Sequence, residues 1–274
     1  MKDDRNPQAA QMADESMVRN LAAQIEVVWP QERPLLAGYA LPAAPSVLDL
    51  ACGTGEATVR MAELWPHAQV LGIDVHEPHL ETARRLSAGY GARVSYQLGD
   101  AFASELPAAS FDLSVCRHML QAVPEPERVI AEMVRVTRPG GRLHLVIEDY
   151  GMMHFHPTPL DADRFWRLGP ISFAASTGTD LRVGRKAFTM LRRAGLLDVR
   201  IDYLVIDTGR VPREVFARIW EAWRDGYATA IAAHTTLALD EVLAHFDGMI
   251  AAIRDPEGYG VWQLPVATGS LPPR

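Results

Sequence analysis

Cysteine is scarce in this chain of 274 residues, which contains only Cys52 and Cys116. Both lie in apolar, strand-like segments, and two cysteines in a chain of this length do not make a disulfide framework. Long apolar runs are also absent, since no stretch approaches the roughly 20 residues needed to cross a bilayer. Residues 1–16 are polar and lack the apolar segment of a secretory signal, so we predict a mobile tail. Together these absences predict a cytoplasmic protein.

Blocks of basic residues are missing as well, and the formal net charge is −7. A protein that neutralises several phosphates usually presents a basic surface, because the release of counterions supplies much of the affinity. The composition, with 48% hydrophobic and 22% charged residues, is that of an ordinary globular protein with a sizeable core. We therefore predict neither a nucleic acid nor a membrane as a partner.

Strands and helices alternate along much of the chain. Apolar residues recur at helical spacing from Met17 to Trp29, and Ser16 is a candidate N-terminal cap of that helix. The predicted strands cover residues 46–50, 69–75, 92–98, 111–116, 142–148, 198–206 and 258–267, and helices over 56–65, 78–86 and 126–136 separate the first of them. This alternation predicts a mostly parallel sheet in an α/β fold, and such sheets bind ligands beyond the carboxyl ends of their strands.

We predict a single domain over residues 1–274, since the chain shows no internal repeat and no low-complexity stretch. Its expected parts are an N-terminal helical segment (12–40), an α/β core (41–150, 184–207 and 257–268) and two cap segments (151–182 and 211–253). The second cap segment carries an apolar stripe at helical spacing, formed by Phe216, Ile219, Trp223, Tyr227 and Ile231. Such a stripe is typical of a helix on a core, and its place between the last two strands also allows a lid over an apolar ligand.

A glycine-rich turn follows the first strand, in the run Val47-Leu48-Asp49-Leu50-Ala51-Cys52-Gly53-Thr54-Gly55. Glycine lets the backbone approach a ligand closely, although two glycines also suit any tight strand-to-helix turn. Acidic residues end or follow the next two strands, Asp74 and Asp100. A carboxylate at Asp74 can accept hydrogen bonds from ribose hydroxyls, and one at Asp100 can face an adenine amino group. Either acid alone could instead cap a helix.

With these motifs in order, the chain resembles the class I S-adenosylmethionine-dependent methyltransferases. VLDLACGTG (47–55) is similar to their first motif, and LGIDV, LGDA and FDLSVC with RVTRPGGRL match later ones across residues 45–150. The resemblance is closest to small-molecule enzymes such as those of quinone biosynthesis and secondary metabolism. It implies a Rossmann-like α/β fold, with a mostly parallel seven-stranded sheet, helices on both faces and a mainly helical cap. A dinucleotide dehydrogenase fits less well, because Thr58 stands where the spaced glycine motif has its last glycine.

The resemblance also implies S-adenosylmethionine as the cofactor and S-adenosylhomocysteine as the product. Carried over by motif, the cofactor-binding residues are Asp49 near the methionine amino group, Ala51, Gly53 and Gly55 beneath the cofactor, Asp74 and Val75 at the ribose, Asp100 and Ala101 beside the adenine, and Cys116 and Arg117 at the methionine end. Ala51 departs from the family pattern, in which glycine is common at this position.

Histidine is the natural base for a weakly acidic acceptor, because its ordinary pKa of about 6.5 leaves it mostly neutral at cellular pH. His118 lies just past the fourth predicted strand, and His154 and Tyr150 follow the fifth. These three are the candidate catalytic residues, and Glu148 and Asp149 could orient a base or the substrate. A structural or surface role is the alternative for each of them.

No metal site is predicted, because His154 and His156 have no third ligand at a characteristic spacing. The predicted function is methyl transfer to an oxygen, nitrogen or carbon atom of a small, partly apolar molecule. Two alternatives stay open. One is a protein or nucleic-acid methyltransferase, which the acidic charge disfavours, and the other is an S-adenosylmethionine-binding protein whose chemistry is changed or lost.

Overall fold

The computed structural model describes residues 5–273, and every predicted strand is present in it. The strands are β1 (Ser46–Leu50), β2 (Gln69–Asp74), β3 (Val94–Leu98), β4 (Phe111–Arg117), β5 (Thr137–Val146), β6 (Met153–His156), β7 (Leu197–Asp207) and β8 (Tyr259–Ser270). The α-helices are α1 (Ala9–Met12), α2 (Glu15–Ala37), α3 (Glu56–Leu64), α4 (Glu77–Leu86), α5 (Pro126–Val136), α6 (Ala162–Leu168), α7 (Pro170–Ser176), α8 (Ala187–Arg193), α9 (Arg213–His234) and α10 (Leu239–Arg254). Within residues 5–273, no helix has the combination of length and hydrophobicity that a membrane span requires.

The strands form an eight-stranded sheet in the order β3-β2-β1-β4-β5-β8-β6, and β7 also pairs with β8. The first five are parallel to their neighbours, whereas β8 runs antiparallel to β5, β6 and β7. Because β1 lies between β2 and β4, the strand order reverses direction beside it, and such a reversal opens a crevice at the carboxyl ends of the strands.

The apolar residues of β1 pack on both faces of the sheet. Val47 belongs to an apolar cluster with Met61 of α3, and Leu48 belongs to a different cluster with Met133 of α5. Successive side chains of a strand point to opposite faces, so a strand covered on both faces needs apolar residues on each of them. The helices on the two faces therefore hold β1 and the turn that follows it in a fixed position.

The N-terminal segment differs from the predicted tail. Residues 1–4 lie outside the described residues, but the chain from Arg5 onward is packed on the fold, and Gln8 is 2% exposed. Ser16 is not the cap of α2, because Asp14 occupies the N-cap position and accepts a hydrogen bond from the backbone N–H of Ser16. The sequence predicted a tail because these residues are polar, and polar side chains can be buried when they find partners.

The two predicted cap segments pack against each other. Ring contacts join α6 and α7 to α9 and α10: Phe165 to Phe246 at 5.3 Å, Trp166 to Trp220 at 5.7 Å and Phe173 to Tyr227 at 6.2 Å between centroids. The first segment contains two helices rather than the one short helix expected. It also contains strand β6, which was not predicted and which pairs with the part of β8 that extends past β5.

Candidate functional site

A cavity of about 390 Å³ opens at the carboxyl ends of the parallel strands. Its sheet side consists of residues that follow β1, β2, β3, β4 and β5: Ala51, Gly53, Asp74, Val75, Asp100, Ala101, Arg117, His118, Gln121, Glu148 and Tyr150. Its other side comes from α2 and from the two cap segments: Met17, Asn20, Leu21, Gln24, Leu181, Trp223 and Tyr227. A second cavity of about 40 Å³, lined by Asp49, Gly53, Gln24 and Arg117 among others, shares several of these residues.

The backbone of the turn after β1 explains its glycines. Gly53 has a φ of 55°, and a Cβ atom there would lie 2.9 Å from Cδ1 of Leu21 in α2. Gly55 has a φ of 81°, but it does not line either cavity, and a Cβ atom there would meet Tyr96 and Ala83. Gly55 is therefore required for packing, whereas Gly53 faces the cavity. Ala51 has a φ of 61°, a left-handed conformation that suits glycine better.

Asp74 joins the ends of β1 and β2. Its Oδ2 accepts a hydrogen bond from the backbone N–H of Gly53 at 2.8 Å, and its Oδ1 accepts one from that of His76 at 2.9 Å. A carboxylate has about four acceptor positions, so this one can receive further donors from the cavity. Asp100 is similarly held, since Oδ1 accepts from the N–H of Phe102 and Oδ2 pairs with Arg5 at 3.2 Å.

Asp49 is 2% exposed and lines the smaller cavity. Burial raises the pKa of this carboxyl to about 6, because the charged form is poorly solvated, although a hydrogen bond from Thr58 Oγ1 at 2.6 Å partly offsets the effect. The carboxyl of Asp49 is therefore mostly ionised at pH 7 and about half ionised near pH 6. A positively charged ligand group would stabilise its ionised form.

Arg117 lines both cavities and is held by a carboxylate from α2. Its Nε and Nη2 donate to Glu32 at 2.9 and 2.7 Å, and His144 Nε2 lies 3.1 Å from the same carboxylate. Burial works against ionisation of Glu32, but the Arg117 guanidinium and His144 lower the pKa of Glu32 to about 2. Cys116, the preceding residue, is buried in the core and does not line either cavity.

A histidine and a glutamate form a buried pair at the ends of β4 and β5. Nδ1 of His118 lies 2.5 Å from Oε1 of Glu148, whose side chain is 1% exposed. The backbone of His118 has a φ of 54°, which turns its side chain at the end of the strand. Among residues 5–273, Nε2 of His118 and Oε2 of Glu148 have no hydrogen-bond partner. A carboxylate at Nδ1 leaves the Nε2 lone pair of a neutral imidazole available to take a proton.

Of the other two catalytic candidates, Tyr150 lines the cavity and His154 does not. Tyr150 lines the cavity between the rings of Trp166 and Trp223, and burial raises the pKa of its hydroxyl well above the ordinary value. His154 lies at an exposed position of β6 and does not line the cavity. Asp149 is bound by the Arg185 guanidinium at 2.7 and 2.8 Å. In the described part of the chain, no three His, Cys, Asp or Glu side chains converge as a metal site would require.

The sequence analysis missed three carboxamide side chains that line the cavity, Asn20, Gln24 and Gln121. They are 3%, 4% and 5% exposed, and the side-chain oxygen of each has no hydrogen-bond partner among residues 5–273. Asn20 and Gln24 stand four positions apart on the face of α2 that also carries Met17. A polar pair inside an apolar helical stripe is a signal that could have identified them.

Comparisons with known proteins identify what the chain is similar to. Residues 47–141 match the model of a methyltransferase domain. The chain is 36% identical over 124 residues to demethylmenaquinone methyltransferase of Thermus thermophilus, covering 45% of this chain and 53% of that protein. It is 38% identical over 135 residues to 27-O-demethylrifamycin SV methyltransferase of Amycolatopsis mediterranei, covering 47% of each. The chain thus spans about half the length of the curated relatives that it matches.

Among solved structures, the fold is similar to that of phosphoethanolamine N-methyltransferase 2 of Haemonchus contortus in complex with S-adenosyl-L-methionine. The TM-score is 0.57 and the sequence identity is 20%, over 90% of this chain and 53% of that one. At this identity the likeness shows a shared fold, and its coverage extends beyond the matched domain to most of the chain.

Proposed function

We propose that this chain, whose residues 47–141 match a methyltransferase domain, is a class I methyltransferase that transfers a methyl group from S-adenosylmethionine to a small molecule. The observation that carries the proposal is the His118–Glu148 pair, which faces the same cavity as the acidic residues at the strand ends. The histidine can accept a proton, and the acidic residues can bind the hydroxyl and amino groups of a nucleoside. Together in one cavity, they suit an enzyme that binds a nucleoside cofactor and removes a proton from its substrate.

The residues present fit S-adenosylmethionine. Asp74 has acceptor positions left for two ribose hydroxyls, and Asp100, which also lines the cavity, would accept from the adenine amino group. Asp49 and Gln24 line the smaller cavity, where a carboxylate and an unpartnered amide oxygen would receive the methionine ammonium. When bound, the cofactor supplies a methyl group on a positively charged sulfur atom, which makes the methyl carbon electrophilic.

In the proposed reaction, Nε2 of His118 takes the proton of the acceptor group, and Glu148 stabilises the imidazolium that results. The N-terminal segment 12–40 and the cap segments 151–182 and 211–253 close the other side of the cavity. Leu181, Trp223 and Tyr227 carry the apolar part of that wall. Excluding water favours methyl transfer, because positive charge is dispersed as the methyl group leaves sulfur.

The Asp74→Ala variant should bind S-adenosylmethionine more weakly by about 1–3 kcal/mol, because two ribose hydroxyls lose a charged acceptor. Calorimetric titration measures the affinity, and circular dichroism checks that the variant is folded. Asp202→Ala is the matched control, since Asp202 lies on β7 outside the cavity. A folded Asp74→Ala protein with the affinity of the parent protein would remove Asp74 from the cofactor site.

Cofactor affinity should also depend on pH through Asp49. The raised pKa of about 6 means that the free protein increasingly protonates Asp49 as the pH falls through 6, and a protonated carboxyl attracts the methionine ammonium less. Binding at pH 5 should therefore be about tenfold weaker than at pH 8. In Asp49→Asn, affinity should be low at both pH values and change much less between them. An undiminished pH dependence in that variant would assign the effect to another group.

A further inference from the structure

The buried amide of Gln121 is oriented by the turn that carries the proposed base. Its Nε2 donates a hydrogen bond to the backbone oxygen of His118 at 2.7 Å. With the nitrogen end used in this way, Oε1 is left without a partner among residues 5–273, although the side chain is 5% exposed. A buried acceptor of this kind is costly unless a ligand supplies the donor. Oε1 of Gln121 and Nε2 of His118 are thus two acceptor atoms presented by one short turn.

The arginines that line the cavity already have carboxylate partners. Arg117 is ion-paired with Glu32 and Arg5 with Asp100, and His118 is paired with Glu148. Removing the Arg117 guanidinium from Glu32 to serve a ligand would leave a fully buried carboxylate uncompensated, which is unfavourable. The cavity therefore favours an uncharged acceptor over one that carries a carboxylate or a phosphate.

The cap side of the cavity is an aromatic wall. Trp223 stacks on Tyr227, with ring centroids 4.6 Å apart and planes 15° from parallel, and the ring centroid of Tyr150 lies 5.0 Å from that of Trp223 with the planes inclined at 52°. All three residues line the cavity. Flat aromatic surfaces of this kind pack well against another flat ring.

We propose that the acceptor is an uncharged, flat ring with at least two hydroxyl groups, and that Gln121 selects it. This inference rests on the proposed methyl transfer. One hydroxyl donates to Nε2 of His118 and is the nucleophile, while the second donates to Oε1 of Gln121 and fixes the ring. The nucleophilic oxygen forms a bond to the methyl carbon as the bond from that carbon to sulfur breaks, and its proton passes to Nε2. The products are a methyl ether and S-adenosylhomocysteine.

The test measures binding of four ring compounds by NMR titration at pH 7 in the presence of saturating S-adenosylhomocysteine, which prevents turnover. The compounds are 4-methylphenol, 4-methylcatechol, 5-methylresorcinol and 3,4-dihydroxybenzoate. At least one of the two methylated diols should bind about tenfold more tightly than 4-methylphenol, as one additional hydrogen bond predicts. The benzoate should bind at least about tenfold more weakly than 4-methylcatechol.

Two variants then test whether Gln121 is the residue that selects diols over the monophenol. In Gln121→Met, which has similar length but no amide oxygen, the ratio of diol to monophenol affinity should fall below about twofold. Gln69→Met is the matched control, because Gln69 is exposed at the start of β2, and it should keep the ratio of the parent protein. The comparison among compounds in the parent protein remains decisive if Gln121→Met does not fold.

Three results would overturn the inference: equal binding of diols and monophenol, an unchanged ratio in folded Gln121→Met, or tight binding of the benzoate. Binding of S-adenosylhomocysteine is measured first by calorimetry. Its failure would contradict the proposed methyl transfer itself, whereas intact binding without diol selectivity would contradict only the assignment of the acceptor.

Discussion

Replacing His118 with alanine should lower turnover about 10²–10⁴-fold and leave S-adenosylmethionine affinity within about twofold of the parent protein. The physical reason is that His118 lines the cavity with Nε2 unpartnered among residues 5–273 while Nδ1 is held by Glu148 at 2.5 Å, so the variant loses the group proposed to receive the proton. Release of S-adenosylhomocysteine in the presence of a hydroxyl-bearing acceptor measures the rate, and calorimetry measures the affinity.

His154→Ala is the matched control for this experiment. His154 was a catalytic candidate in the sequence, but its position on β6 is exposed and outside the cavity, so we expect its replacement to leave turnover within about twofold. Glu148→Gln adds a second comparison, because it removes the charge that stabilises an imidazolium and keeps the size of the side chain. Undiminished turnover in folded His118→Ala would show that the reaction proceeds by alignment of the reactants or with another base.

The Glu32→Ala variant should be less stable than the parent protein by about 3–5 kcal/mol in free energy of unfolding. Glu32 is fully buried, and its removal leaves the Arg117 guanidinium and His144 without their shared carboxylate. Urea denaturation at pH 7 measures the change. Glu26→Ala on the same helix is the control, because its ion pair with Arg218 is about half exposed and should contribute less than about 1 kcal/mol.

The same carboxylate predicts how stability depends on pH. Because the pKa of Glu32 is lowered from 4.5 to about 2 in the folded protein, its contribution is fully present above about pH 4.5 and is lost as the pH falls toward 2. The parent protein should therefore lose more stability between pH 5 and pH 3 than Glu32→Ala does. Equal losses in the two proteins, or a Glu32→Ala protein as stable as Glu26→Ala, would contradict a structural role for this ion pair.

The sheet was predictable because its central strands are covered on both faces. A strand such as β1 needs apolar residues on both faces, and Val47, Leu48 and Leu50 are visible as such in the sequence. Strand β6 gave no such signal, since its four residues alternate between buried and exposed and form a strand only where β8 extends past β5. The packing of Gln8 was equally hidden, because its partners Thr179 and Tyr227 are distant in the chain.

The candidate site was predictable where it depends on strand ends. Parallel strands end at one edge of a sheet, so Asp49, Asp74 and Asp100 were expected to lie close together, and they line two adjoining cavities. The role of Gly55 was not predictable, because its need for glycine comes from contacts with Tyr96 and Ala83 rather than from the cavity. The ion pair of Glu32 with Arg117 was not predictable either, because the two residues are 85 positions apart in the chain.

Tracing the methyl group provides the most direct measurement of the proposed function. The protein is incubated with S-adenosylmethionine that carries a ¹³C-labelled methyl group and with an extract of small metabolites, and the products are identified by mass spectrometry. The proposed function predicts a labelled small molecule, S-adenosylhomocysteine in equal amount, and loss of both with His118→Ala. Cofactor that binds but keeps its label, with neither product formed from any extract, would contradict methyl transfer.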